Sequence, residues 1–201
     1  LRRSRGLGDV YKRQMKDRRV AVIGTGATGI QVIGDIAPRV GSLHVFQRRP
    51  NWSAPLNNSE ISEEEMDSIR ARYPEIFEIC ARTPGGFEHE PDRRGFWNVT
   101  REERLALWDK LYDEPGFGIW LANFVEIFID EEANAEFSEY IADRIRQRVH
   151  DPVVAEKLIP KDHGFGVQRV PMETNSFEAY NQDNVTLVDL QATPIERITP
   201  T

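Results

Sequence analysis

The sequence predicts an α/β fold, a doubly wound parallel sheet that is interrupted by a mostly helical insertion. A strand, a glycine loop, a helix and a second strand follow one another within residues 19–47. An acidic and aromatic segment with helical patterns comes next, and strand patterns return after residue 151. We therefore divide the chain into a head (1–14), a βαβ unit (15–58), a helical insertion (59–150) and a closing segment (151–201).

The head differs in composition from the rest of the chain. It holds five basic residues and one acidic residue, so removing it changes the net charge from −7 to −11. It resembles a translated sequencing adapter, with Met15 as the true start or an internal join, and we exclude it from fold prediction. Because an acidic body repels the phosphates of nucleic acid, we expect no nucleic-acid partner.

The βαβ unit begins with a short apolar run, Arg19 to Ile23, which is typical of a parallel strand buried on both faces. Apolar residues then recur at helical spacing up to Ile36, and Pro38 and Gly41 end this helix. A second apolar strand, Leu43 to Phe46, follows at once. The whole unit has about 30 residues, the size of one Rossmann half.

The loop between strand and helix matches G-x-G-x-x-G, with the residues Gly24, Thr25, Gly26, Ala27, Thr28 and Gly29. The first glycine permits a tight turn, the second lets the backbone approach a pyrophosphate, and the third lets the helix pack close to its strand. The helix N-terminus offers unpaired N–H groups to phosphates. In this context the loop predicts dinucleotide binding. The alternative is a tight strand-to-helix turn without a ligand.

The end of the second strand indicates which dinucleotide is bound. An acidic residue there would bind the ribose 2′-hydroxyl of NAD. Here Arg48 and Arg49 follow Gln47, and a guanidinium binds phosphate through paired hydrogen bonds. The sequence therefore favours NADP(H) over NAD(H). The alternative is that both arginines are ordinary solvated loop residues.

The insertion reads as helices joined by turns. Ser62-x-x-Glu65 and Thr100-x-x-Glu103 are capping-box patterns that predict helix starts. Two apolar stripes at helical spacing predict core positions rather than cofactor contacts. They are Leu105, Trp108, Leu111 and Tyr112, then Phe137, Tyr140, Ile141, Ile145 and Val149.

The closing segment begins with a helix start at Asp151-Pro152 and continues into a loop rich in glycine and cations, residues 161–171. Such a loop suits a segment that approaches a ligand. His163 in this loop is either functional or simply exposed or hydrogen-bonded. Downstream we predict a helical turn at Phe177 to Tyr180 and strands at Val185 to Leu190 and from Ile195 to Ile198.

Other site classes and locations are disfavoured. The four histidines are far apart and lack partners at metal-ligand spacing, so we expect no metal site. No apolar run approaches the ~20 residues that cross a bilayer. One cysteine and the lack of a signal-peptide pattern indicate the cytoplasm.

Four runs resemble the Baeyer–Villiger monooxygenases, the phenylacetone and cyclohexanone monooxygenase family. Val20 to Gln31 and Val45 to Trp52 are similar to that family's NADP domain. Residues 159–171 and 177–189 are similar to its active-site loop and the strand after it. The resemblance covers nearly everything after Met15.

The resemblance implies an enzyme that uses FAD, NADPH and O2 to insert one oxygen atom beside a ketone carbonyl, giving an ester or lactone. Arg169 matches the catalytic arginine, which in the family holds an anionic flavin peroxide beside the nicotinamide. Arg48 matches the arginine for the 2′-phosphate, and the glycine loop with Gln31 matches further cofactor-binding positions.

Two positions depart from the family. Gln168 stands where a lysine often assists the 2′-phosphate, and Arg49 replaces a threonine. We expect the added cation to offset the missing one.

The family's FAD-binding unit and its signature precede the NADP domain, and neither occurs in this sequence. We therefore expect an internal fragment that is inactive alone, with FAD bound mostly by other segments and no protein partner implied. Two alternatives stay open. One is a flavin N- or S-monooxygenase, and the other is a non-catalytic NADP-binding module.

Overall fold

The computed structural model describes residues 14–83 and 85–199. All of the proposed head except Gln14 lies outside the described residues. The chain divides into two units. The sheet unit comprises the described residues up to Ser53 and from Ser138 onward, and the helical unit is Ala54–Phe137.

The sheet unit contains three parallel strands, β1 (Arg19–Ile23), β2 (Ser42–Gln47) and β5 (Val185–Asp189), with β2 in the middle. Helix α1 (Ala27–Ile36) connects the first two strands. Val45 of β2 lies opposite Val22 on one side and Leu187 on the other. The predicted α/β class with a Rossmann-like parallel sheet is confirmed.

The core of this unit lies between α1 and the sheet. Ile33 and Ile36, three residues apart on one face of the helix, pack with Leu43 and Val45 of β2. All four side chains are buried. The amide of Asn184 donates hydrogen bonds to two carbonyls after α1, which ties the start of β5 to the end of the helix.

Strand β1 is less buried than the sequence predicts. Its residues alternate between half-buried and exposed, and Ile23 is 63% exposed. The prediction of burial on both faces is wrong. The core that α1 contributes to covers the face where Val20 and Val22 pack, and the opposite face, with Ile23, is exposed.

The helical unit confirms both predicted capping boxes. Its elements are β3 (Ala54–Pro55), α2 (Glu63–Ala71), α3 (Tyr73–Arg82), α4 (Arg101–Asp113), α5 (Gly118–Leu121) and 3-10 turns at Phe96–Asn98 and Val125–Phe128. The Ser62 and Thr100 hydroxyls each accept a hydrogen bond from the backbone N–H three residues later. The carboxylates of Glu65 and Glu103 in turn accept from the backbone N–H of Ser62 and Thr100. Trp108 of the predicted stripe is fully buried and donates its indole N–H to the Asn123 side-chain oxygen at 2.9 Å.

The remaining elements are α6 (Glu131–Arg148), α7 (Pro152–Leu158), β4 (Met172–Glu173) and α8 (Ser176–Ala179). Asp151 accepts from the N–H groups of Val153 and Val154, which confirms the predicted helix start. The predicted strand at Ile195 to Ile198 is wrong. No described strand pairs with these residues, Ile198 is 83% exposed, and a strand without a neighbour lacks the hydrogen bonds that define it.

Within residues 14–83 and 85–199, no helix combines the length and the apolar character needed to cross a membrane.

Candidate functional site

The glycine loop has the backbone that its sequence predicts. Gly24 has φ of +99°, a backbone conformation that residues with a side chain rarely adopt. Its N–H donates to the Phe46 carbonyl at 2.8 Å. A Cβ built at Gly29 would lie 2.3 Å from the Gly24 carbonyl oxygen. Glycine is therefore required at position 24 for the turn and at position 29 for close packing.

The space in front of the loop is open. A Cβ at Gly24 or Gly26 would meet no atom within 4 Å. Gly26 is the N-cap of α1, without a side chain to cap the helix, and the first hydrogen bond of the helix runs from Ile30 to its carbonyl. Ala27 and exposed Thr28 form the first turn. A pyrophosphate fits here because backbone N–H groups face a space that side chains leave empty.

Two further predicted cofactor residues have structural contacts. The buried Thr25 hydroxyl donates to the Arg49 carbonyl at 3.1 Å, which joins the glycine loop to the end of β2. The Gln31 amide donates to the Met172 carbonyl at 3.2 Å and so holds the segment that follows the Arg169 loop. These contacts give both residues a role in shaping the site.

An open cleft of about 280 Å³ lies beyond the end of β2. Four cations line it, and three of them face an acid. Arg49 pairs with Asp162 at 3.0 Å, Lys161 with Glu156 at 2.6 Å, and Lys157 with Asp189 at 3.7 Å. The fourth is Arg48, which is exposed and has no ion pair among the described residues.

Arg48 is also fixed at its backbone. The Gln191 side chain donates to the Arg48 carbonyl at 2.9 Å, and the Gln191 N–H donates to Asp189 at 2.9 Å. The second residue after β5 therefore holds the first residue after β2. This leaves the Arg48 guanidinium as the cation in the cleft that is available to an anion.

The predicted active-site loop contacts the segment after β2. Asn51 donates its side-chain amide to the Arg169 carbonyl at 3.2 Å, and the Trp52 indole donates to the His163 carbonyl at 2.8 Å. The side chains of Gln168 and Arg169 are exposed. The loop is thus held by its backbone while the Arg169 guanidinium stays available.

His163 is a hydrogen-bonded residue rather than an exposed one. Its side chain is 8% exposed, and its Nδ1 lies 2.7 Å from Oδ1 of Asp162. This imidazole, together with the Arg49 guanidinium, holds the pKa of Asp162 below its usual range. Nε2 of His163 is buried and lacks a hydrogen-bond partner among the described residues.

The segment after the loop is anchored by a partly buried ion-pair network. The Arg148 guanidinium contacts Glu173 at 2.7 Å and both carboxylate oxygens of Glu178. The Glu173 side chain is fully buried, and its second oxygen accepts from the N–H and hydroxyl of Ser176. Charge pairing from α6 therefore fixes the base of the Arg169 loop.

Sequence reasoning assigned no role to several of these residues. Asn51 and Asp162 act through contacts with positions more than a hundred residues away, and no local pattern marks such contacts. Gly34 did carry a signal, because glycine inside a helix often marks close backbone approach. A Cβ there would lie 2.2 Å from the Thr174 carbonyl oxygen.

Comparison with known proteins identifies the relatives of this chain. No family model matches it. It is 52% identical over 183 residues to the 2-oxo-Δ3-4,5,5-trimethylcyclopentenylacetyl-CoA monooxygenase of Pseudomonas putida, covering 91% of this chain and 34% of the relative. It is 42% identical over 182 residues to the methyl acetate-forming acetone monooxygenase of Gordonia sp., covering 90% of this chain and 34% of that enzyme.

The solved structures agree with the sequence relatives. A crystal structure of OTEMO in complex with FAD and NADP matches with a TM-score of 0.89 at 52% identity, covering 92% of this chain and 35% of that one. The chain spans about a third of the length of the relatives that it matches. It is homologous to a fragment of the Baeyer–Villiger monooxygenases.

Proposed function

We propose that the intact protein is an NADPH- and FAD-dependent Baeyer–Villiger monooxygenase that converts a ketone and O2 to an ester or lactone. One observation carries the proposal. Asn51 donates a hydrogen bond to the Arg169 carbonyl, so the loop that holds the proposed catalytic arginine contacts the segment that begins with Arg48 and Arg49. This contact supports a site in which the proposed dinucleotide contacts and the proposed catalytic arginine lie in one unit.

The glycine loop binds the pyrophosphate of NADP(H), and the end of β2 binds its 2′-phosphate. Backbone N–H groups at Gly26 and the start of α1 bind the pyrophosphate, since the space in front of them is free of side chains. Arg48 binds the 2′-phosphate because it is the cleft cation without an acidic partner among the described residues. Arg49, which lines the same cleft but is paired with Asp162, and the exposed Gln168 are proposed as further, weaker 2′-phosphate contacts.

Arg169 is the catalytic residue of the proposal. FAD, when bound, supplies the oxygen activation. A guanidinium held on a fixed backbone stabilises negative charge that develops near it, and it does so at little reorganisation cost. The hydrogen bond from Asn51 holds the Arg169 backbone, and the Arg169 side chain is exposed.

The substrate class follows from the relatives. One relative is named as acting on acetone, and others on cyclopentanone and cyclohexanone. We propose a ketone for this protein on that basis.

Product analysis with labelled oxygen tests this function. The intact protein, loaded with FAD, is incubated with NADPH, isotopically labelled O2 and a panel of linear and cyclic ketones. We expect one labelled oxygen atom in the ester or lactone and NADPH consumption that depends on the ketone. Labelled N-oxide or sulfoxide without ester would assign the protein to another flavin monooxygenase class. NADPH binding without any oxygenated product would indicate a binding module.

A further inference from the structure

We propose that Asp162 is a specificity-determining residue, which limits NADP(H) selectivity by withholding the Arg49 guanidinium from the 2′-phosphate. The inference rests on the proposed function in that it takes NADP(H) as the dinucleotide. It adds that Asp162, an acidic residue of the Arg169 loop, lowers the affinity for the 2′-phosphate.

The first ground is the position of the pair. Arg49 and Asp162 both line the cleft that Arg48 lines, and Arg49 Nη1 lies 3.0 Å from Asp162 Oδ2. A 2′-phosphate bound by Arg48 in this cleft lies close to both groups. It gains attraction from Arg49 only if that cation turns away from Asp162, and it meets repulsion from the carboxylate in any case.

The second ground is that Asp162 stays in place and ionised. Its other oxygen, Oδ1, lies 2.7 Å from Nδ1 of the nearly buried His163. His163 is in turn held through its carbonyl by the Trp52 indole. The contact with His163 thus keeps the Asp162 carboxylate in the cleft when Arg49 moves toward a phosphate.

The third ground is that the pair is exchangeable. The Arg49 and Asp162 side chains are 54% and 45% exposed, and an ion pair with this much exposure to water is weak. A doubly charged phosphate competes with Asp162 for Arg49, so the effect of the pair is a graded loss of affinity rather than a block. The contacts of Asn51 and Trp52 to loop carbonyls do not involve Asp162, so its replacement leaves the loop attached.

Binding of two nucleotide probes tests the inference. In the intact, FAD-loaded protein, calorimetry gives Kd for 2′,5′-ADP and for 5′-AMP, which lacks the 2′-phosphate. We expect Asp162→Asn to bind 2′,5′-ADP about 2- to 10-fold more tightly, with the Kd of 5′-AMP within about 2-fold. Asparagine keeps the size of the side chain and an oxygen for His163.

Matched variants exclude a general charge effect. Asp183→Asn removes one negative charge from an exposed position of the sheet unit outside the cleft, and we expect it to change neither Kd. In an Arg49→Ala background, Asp162→Asn is expected to lose much of its gain, because no withheld cation remains to be released.

The outcomes separate this inference from the proposed function. If wild type binds 2′,5′-ADP no better than 5′-AMP, the NADP(H) assignment itself is wrong. If wild type does prefer 2′,5′-ADP but Asp162→Asn leaves that preference unchanged, the function stands and this inference is overturned. An equal gain for both probes, or the same gain in Asp183→Asn, also overturns it.

Discussion

The side-chain amide of Asn51 donates a hydrogen bond to the backbone carbonyl of Arg169 at 3.2 Å. Asn51 lies three residues after Arg48, so a short, locally fixed segment connects the proposed 2′-phosphate contact to the proposed catalytic residue. Thr25 contacts the same segment from the glycine loop through the Arg49 carbonyl. The segment from Arg48 to Asn51 is therefore hydrogen-bonded both to the glycine loop and to the backbone that carries Arg169.

Replacing Asn51 tests this connection. Asn51→Ala should lower the yield of oxygenated product per NADPH consumed by about 2- to 10-fold, because it removes one hydrogen bond that positions Arg169. The Kd for 2′,5′-ADP should stay close to that of wild type, since Asn51 does not line the cleft. Asn51→Asp has the same shape but lacks the donor, so we expect no rescue. Wild-type coupling in Asn51→Asp would show that this hydrogen bond is not needed.

Arg48 should determine the preference for NADPH. Arg48→Ala removes a charge-assisted contact to the 2′-phosphate, which typically contributes 1.5–3 kcal/mol, so kcat/KM for NADPH should fall roughly 10- to 150-fold. The value for NADH should change little. The comparison of kcat/KM for both cofactors in both proteins gives the answer.

Arg39→Ala is the matched control for Arg48. Arg39 is also an exposed arginine of the sheet unit, but its carbonyl accepts from Asp17, which precedes β1, so it lies away from the β2 end. It should alter neither cofactor's kcat/KM. Equal losses with NADPH and NADH in Arg48→Ala would reject the 2′-phosphate assignment.

The elements that sequence predicted best are those with local causes. The glycine loop, its flanking strands and the helix starts at Ser62, Thr100 and Asp151 depend on residues within a few positions of one another. The exposure of Ile23 depends on which elements cover β1, and no feature within the strand sets this. The Arg49–Asp162 and Asn51–Arg169 contacts join segments more than a hundred residues apart, and they exist only once the fold brings those segments together.

Gly34 should be required for stability and Gly26 should not. A Cβ at Gly34 would lie 2.2 Å from a backbone carbonyl oxygen, so Gly34→Ala forces α1 or the segment at Thr174 to move. Such overpacking typically costs 1–3 kcal/mol, and we expect a lower Tm. A Cβ at Gly26 meets open space, so Gly26→Ala should keep its Tm while weakening NADP+ binding. Equal Tm values for the two variants would contradict this account.

The Arg148 network should stabilise the base of the Arg169 loop. Arg148→Met leaves the buried Glu173 carboxylate without its cation, and breaking a buried pair in this way typically costs 3–5 kcal/mol in denaturant unfolding. Adding Glu173→Gln to Arg148→Met removes the unpaired charge and should recover part of the loss. No recovery in the double variant would show that packing, rather than charge, accounts for the loss.

The stability that the Arg148 network contributes should depend on pH. Burial opposes ionisation of Glu178, but its hydrogen bonds and charge attraction to Arg148 hold its pKa below the usual value. A carboxyl with a lowered folded pKa contributes stability above its unfolded pKa, about 4.3, and loses it as pH falls through the folded pKa. The stability difference between wild type and Arg148→Met should therefore be largest above about pH 5 and narrow below about pH 4. A difference that does not change with pH would contradict this.

Arg169 should be needed for oxygen transfer and not for folding or nucleotide binding. Its side chain is exposed and its backbone is held through the carbonyl, so Arg169→Ala leaves the anchoring hydrogen bond from Asn51 in place. A cation that faces developing negative charge contributes mainly in the reactive state. Removing such a group typically costs ~3–4 kcal/mol, so ester formation should fall about 10²- to 10³-fold.

The control for Arg169 keeps the charge and changes its shape. Arg169→Lys should restore only a small part of the activity, because an ammonium lacks the planar pair of donors that can contact two groups at once. NADPH consumption, ester formation and the Kd for 2′,5′-ADP are measured together in wild type and both variants. We expect the Kd to be unchanged and the ester yield per NADPH to fall in the order wild type, Arg169→Lys, Arg169→Ala. Normal ester yield in Arg169→Ala would mean that this arginine is a solvated loop residue and that the cation which assists oxygen transfer lies elsewhere.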